Sequence, residues 1–180
     1  AAELLVKCAD ENGTAVFDLS AFNATILDGQ DTDIFSLAYY ATEADRLADN
    51  PIADLSNFTT VGQTIYVVVT SSETGCRIIL PLALTVNPLP VVTTPANVEQ
   101  CGDLAGNSVF NLKNQDVVIL NGQNTADFTI AYYTDEALAN VIGLPESFTS
   151  VGQTIYAEVT NSATGCSSSV AFNVVVTEVD

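Results

Sequence analysis

Apolar and polar positions alternate with a period of two in several short runs of the chain. Gln63 to Thr70 reads Gln-Thr-Ile-Tyr-Val-Val-Val-Thr, and Gln153 to Thr160 reads Gln-Thr-Ile-Tyr-Ala-Glu-Val-Thr. Both runs are rich in β-branched and aromatic residues and are bounded by Gly and Ser, which predicts strands. Glu158 stands where the first run has Val68, and the pleat puts it on the side of Tyr156. The expected buried side is therefore Ile155, Ala157 and Val159 in one run and Ile65, Val67 and Val69 in the other. Further strands are predicted over Glu3 to Lys7, Thr14 to Leu19, Phe35 to Ala41 and Arg77 to Val86. Their counterparts lie near Val98 to Gln100, Ser108 to Leu112, Phe128 to Thr134 and Ser167 to Val176. Glu43 to Asp49 has room for one helical turn.

The pattern occurs twice. Residues 8 to 40 align with 101 to 133, keeping Cys8/Cys101, Asp10/Asp103, Gly13/Gly106, Ile26-Leu27/Ile119-Leu120, Gly29-Gln30/Gly122-Gln123 and Tyr39-Tyr40/Tyr132-Tyr133. Beyond a three-residue deletion the alignment resumes. Val61 to Tyr66 recurs as Val151 to Tyr156, and Thr74-Gly75-Cys76 as Thr164-Gly165-Cys166. A repeat of about 90 residues has the size of one small sandwich. The fold class expected is all-β, with two tandem immunoglobulin-like β-sandwich domains over 1–90 and 91–180. Three prolines fall between residues 87 and 95, which predicts an extended, semi-rigid connector there.

Four cysteines allow three pairings. Each repeat carries one before its first strong strand and one just after a Thr-Gly turn, so the symmetric solution is Cys8 with Cys76 and Cys101 with Cys166. Closing a loop of nearly seventy residues would stabilise a repeat by roughly 4 kcal/mol on the chain-entropy model. A zinc site is the rival reading, but the cysteines are widely spaced and the chain has no His. Disulfides imply an oxidising compartment, so the expected location is extracellular or at the cell surface.

The 22 acidic and 4 basic residues give a net charge of −18, which repels phosphate backbones and anionic headgroups and argues against nucleic acid and membrane insertion. The absence of His excludes Ser-His-Asp and Cys-His nucleophile systems, and no glycine-rich phosphate loop is present. The chain is therefore expected not to be an enzyme and to hold no cofactor, with calcium as the one candidate ion. Asp10, Glu11 and Asn12, ahead of Gly13, place several oxygens in one short turn. The alternative is an Asx turn closed by its own hydrogen bonds. The second repeat reads Asp103-Leu104-Ala105-Gly106 and lacks two of these donors.

The order Cys-x-Asp-x-x-Gly-x-x-Val-Phe-Asp-Leu, Ala-Tyr-Tyr, Gln-Thr-Ile-Tyr, Thr-Gly-Cys and Asn-Pro-Leu-Pro resembles the immunoglobulin-like repeats of large Bacteroidetes surface proteins. Such proteins are exported by the type IX secretion system and are adhesin-like or associated with gliding motility. The resemblance implies a non-catalytic structural or adhesive segment of a stalk or filament. Its expected partners are other repeats of the same protein, cell-surface or extracellular polysaccharide, or further copies of itself. The alternative is a carbohydrate-binding module, with Tyr39, Tyr40, Tyr132 and Tyr133 as stacking faces, or an accessory domain of a secreted hydrolase.

Overall fold

The computed structural model describes residues 5–178. The chain divides into two compact units, Ala1–Pro88 and Leu89–Asp180.

In unit 1 the strands are β1 (Val6–Cys8), β2 (Ala15–Phe17), β3 (Phe35–Tyr40), β4 (Phe58–Thr60), β5 (Gln63–Ser71) and β6 (Arg77–Asn87). They form a four-stranded sheet in the order β1-β6-β5-β3 and a two-stranded sheet of β2 and β4. Unit 2 repeats this with β7 (Val98–Cys101), β8 (Ser108–Phe110), β9 (Phe128–Tyr133), β10 (Phe148–Ser150), β11 (Gln153–Asn161) and β12 (Ser167–Thr177). Its four-stranded sheet runs β7-β12-β11-β9, and β8 pairs with β10. The chain is thus two tandem immunoglobulin-like sandwiches.

Burial follows the alternation along the central strands. Ile65 and Val67, and Ile155, Ala157 and Val159, are fully buried, while Tyr66, Tyr156 and Glu158 are half-exposed. Across from them, Phe17 and Phe110 project from the small sheets into the same clusters, so each sandwich closes around one apolar core. Burying a phenylalanine of this kind stabilises a domain by roughly 1.5–3 kcal/mol.

Several elements depart from the sequence expectation. The strand expected over Thr14 to Leu19 stops at Phe17, because Asp18 caps a 3-10 turn, Leu19–Phe22, by accepting the Ser20 N–H at 3.0 Å. That turn leads into α1 (Asn23–Leu27). Asn111 does the same in unit 2, accepting from Lys113 N–H at 3.1 Å ahead of α3 (Asp116–Ile119). The turns bring Leu19 and Leu112 to full burial. The strands β4 and β10 were not expected: at three residues each they are too short to show alternation. The helical turn over Glu43 to Asp49 forms as α2 (Glu43–Leu47), capped by Thr42. Of the strand expected from Glu3, residues 3 and 4 lie outside the described residues, and the rest begins at Val6.

The first and last strands of each unit pair in parallel. Cys8 lies opposite Asn87, and Cys101 lies opposite Thr177. The other cysteine of each unit sits at the far end of the same long strand, in the turn before it. Gly75, at φ 69°, and the bond from Gly75 N–H to Ser71 O close the turn that delivers Cys76 to the head of β6. Gly165, at φ 72°, does so for Cys166 and β12. Both long strands have 11 residues. At about 3.3 Å per residue, the two cysteines of a unit therefore stand roughly 35 Å apart.

Candidate functional site

A disulfide requires Cα atoms within about 4.4–6.8 Å of each other, which the length of β6 and of β12 rules out inside either unit. The expected pairings of Cys8 with Cys76 and Cys101 with Cys166 are accordingly not made. Cys8 and Cys166 are disulfide-bonded to each other, and Cys76 and Cys101 are free, exposed thiols. Cys8 and Cys101 are repeat counterparts, as are Cys76 and Cys166. One member of each type is therefore bonded and one is free. Burial differs accordingly: Cys166 is 1 % exposed, whereas Cys76 is open to solvent.

Beside Cys76, unit 1 carries a cleft of about 360 Å³, lined chiefly by Ile26, Leu27, Gln30, Phe35, Cys76 and Ile78. In the loop after α1, which contributes Gln30 to the lining, Asp28 and Gly29 take left-handed conformations (φ 48° and 82°) and Gln30 N–H donates to Leu27 O at 2.9 Å. The counterpart loop of unit 2 has the same backbone: Asn121 and Gly122 at φ 50° and 81°, and Gln123 N–H donating to Leu120 O at 3.0 Å. There the connector lies on the loop. Gln123 reads the backbone of Val91 from both sides, accepting its N–H at 3.3 Å and donating through Nε2 to its carbonyl. Thr93 N–H donates to Ile119 O at 3.0 Å, and Val92 packs against the core of the unit. The connector expected to span residues 87–95 as a stiff spacer is thus, over Val91–Thr93, an integral part of unit 2.

The Asp10 loop closes on itself. Asp10 Oδ1 accepts the N–H groups of Asn12 and Thr14, each at 2.9 Å, and Oδ2 accepts the Thr14 hydroxyl at 2.8 Å. These bonds, the one from the Thr14 N–H first among them, hold the Asp10 carboxyl below its ordinary pKa. Asp103 makes the matching bonds to Ala105 and Asn107, both at 2.8 Å, and is lowered likewise. The Asp10 and Asp103 carboxylates act as turn acceptors, while Glu11 and Asn12 face solvent. Among the described residues no group of three or more His, Cys, Asp or Glu converges on a common point.

The tyrosine pairs are structural. Tyr39 and Tyr132 are each 1 % exposed and Tyr40 is 5 % exposed, which removes their rings as stacking platforms. Their hydroxyls are tied inward: Tyr39 donates to Asn23 Oδ1 at 2.7 Å, Tyr40 to Asp49 Oδ1 at 2.8 Å, and Tyr132 to Asp116 Oδ1. Tyr132 Oη also lies 2.9 Å from Leu112 O. Tyr133, half-buried, donates to Glu158 Oε2 at 3.2 Å. Burial pushes the Tyr39 phenol up to about 12, and burial with the adjoining Asp116 carboxylate raises that of Tyr132 further.

Sequence reasoning identified the four cysteines but missed Gln123 as the residue that holds the connector and Gln30 as its counterpart at the cleft. The signal available was the Ile-Leu-x-Gly-Gln pattern kept in both copies, Ile26 to Gln30 and Ile119 to Gln123.

None of the curated proteins compared matches the chain. A family model does, twice, over residues 4–90 and 97–180, and its description is the Flavobacterium inter-domain disulphide bond domain. The two matches span both sandwiches, and each contains one cysteine of the bonded pair; the chain belongs to this family, as two tandem copies of its domain.

Proposed function

We propose that the chain is a non-catalytic structural and adhesive segment of a large secreted or cell-surface protein, in which a disulfide staples each module to its neighbour. One observation carries the reading. The cysteines of a unit stand at opposite ends of an 11-residue strand, so no unit can close its own bond. The bonded cysteines, Cys8 and Cys166, come one from each repeat. Cys101 and Cys76, their counterparts, are then the positions at which the same bond continues to further modules. An array cross-linked in this way resists unfolding and reduction outside the cell, which suits a stalk or filament exported through type IX secretion. Its acidic surface suits contact with neutral or cationic surfaces better than with anionic lipid.

The test is a non-reducing peptide map of the 180-residue chain, recovered from an oxidising compartment and alkylated without reductant. The expected result is one cross-linked peptide pair carrying Cys8 and Cys166, with Cys76 and Cys101 alkylated. A peptide pair joining Cys8 to Cys76 overturns the stapled array, and four alkylated thiols overturn the oxidising location with it.

A further inference from the structure

We infer that the cleft beside Cys76 is a docking groove for an extended apolar connector of the Pro-Leu-Pro-Val-Val-Thr kind, arriving ahead of unit 1. The argument rests on the two copies being in different states. Unit 2 holds its own connector on Ile119 and Gln123, through the Val91 and Thr93 backbone bonds and the Val92 side chain. The counterparts in unit 1, Ile26 and Gln30, line a cleft instead. The loop that carries them has the same left-handed pair and the same closing hydrogen bond, so the receptor backbone is preformed.

Burial marks the difference. Ile119 is fully buried and Gln123 half-buried, whereas Ile26 is half-exposed and Gln30 exposed. The apolar walls, Ile26, Leu27, Phe35 and Ile78, suit a Val-Val pair. The free Gln30 amide suits the backbone N–H and C=O of an extended residue, which is how Gln123 uses its own. The residues corresponding to Pro88–Thr93 would immediately precede Ala1, since Thr94 is the repeat counterpart of Ala1. The groove therefore recognises a strand-like segment chiefly by its backbone and by two small apolar side chains.

The experiment fuses Asn-Pro-Leu-Pro-Val-Val-Thr, the sequence of Asn87–Thr93, ahead of Ala1 and follows amide hydrogen exchange by mass spectrometry. Val91–Thr93 of unit 2 serve as the reference within the same molecule. The expected result is that the added Val-Val-Thr exchanges at least about tenfold more slowly than unstructured chain. Gln30→Ala should release the added segment alone, and Gln123→Ala should release Val91–Thr93 alone. Exchange of the added segment at the unstructured rate, with Val91–Thr93 still protected, overturns the proposal. So does protection that survives replacement of both added valines by serine. The disulfide map of the same sample reports separately on the stapled-array reading, and either can fail without the other.

Discussion

Replacing Cys166 with serine should destabilise unit 2 strongly, while Cys76→Ser should leave the chain nearly unchanged, although the two cysteines occupy the same position in the repeat. Cys8 is held opposite Asn87, at the start of the connector. When unit 2 unfolds with unit 1 intact, the Cys8–Cys166 bond therefore closes a loop running from about residue 88 to Cys166. For a loop of roughly eighty residues, the lost entropy of the unfolded chain amounts to about 4.5 kcal/mol on the chain-entropy model. In a domain of this size that corresponds to a fall in Tm on the order of 20 °C. Differential scanning calorimetry of the four single serine variants, without reductant, measures it. Reducing the wild type with a phosphine controls for the cost of placing a serine hydroxyl at a buried site. Cys8→Ser and Cys166→Ser should reproduce the loss seen on reduction, and the double variant should add little to either. Cys76→Ser and Cys101→Ser should stay within about 0.5 kcal/mol of wild type, as exposed substitutions do. Equal losses from Cys76→Ser and Cys8→Ser would refute the reasoning, since they would require a bond inside unit 1.

Three further outcomes follow from the buried groups. Tyr132→Phe removes the hydroxyl that donates to Asp116 Oδ1 beside the Leu112 carbonyl and should cost about 1–3 kcal/mol in a urea titration; Tyr39→Phe, which frees only Asn23, should cost about 1 kcal/mol. The Tyr39 phenol is raised from 10.0 to about 12, so its contribution is complete below pH 10 and is lost as the pH rises through about 12. Circular dichroism against pH should show that alkaline loss in the wild type and less of it in Tyr39→Phe. Gly62 sits at φ 104°, where an added Cβ would meet Val86 N at 3.3 Å, so Gly62→Ala should destabilise unit 1 by about 1–3 kcal/mol, read in the same urea titration.

The long strands, their buried faces and the twofold repeat were legible because each leaves a mark of period two or a matched spacing. Ile65, Val67, Ile155, Ala157 and Val159 went inward as the alternation required. What could not be read is the partner of a strand. The parallel pairing of β1 with the tail of β6 leaves no local trace, yet it is what carries Cys8 to the opposite end of the unit from Cys76. Repeat symmetry is satisfied equally by a bond inside each unit and by one handed on to the next unit; only the length of β6 decides between them. The tyrosine pairs misled for a related reason. Alternation predicts one ring inward and one outward, but Tyr40 is covered as well, with its hydroxyl on Asp49 at the end of a loop whose path the sequence does not reveal. The Asp10 turn was legible in its chemistry, since the pattern names an Asx turn as readily as a cation loop. Both carboxylate oxygens accept from the backbone and side chain of their own loop, which are the bonds of an Asx turn.

The parallel pairing of the terminal strands has a mechanical consequence. With the Cys8–Cys166 bond intact, tension along the chain passes directly from Cys8 to Cys166 and bypasses the end of β6. Once that bond is reduced, tension pulls β1 backward from its beginning and β6 forward from its end, and because the strands are parallel the pull runs along their common axis. The three register pairs of β1 with β6, and the four of β7 with β12, are thus loaded together in shear and do not open one after another as in an unzipping hairpin. Rupture under load is governed by the rate of crossing a barrier, and a cooperative shear patch raises that barrier without requiring a larger core. A module of this design can be thermodynamically ordinary and still hold under force.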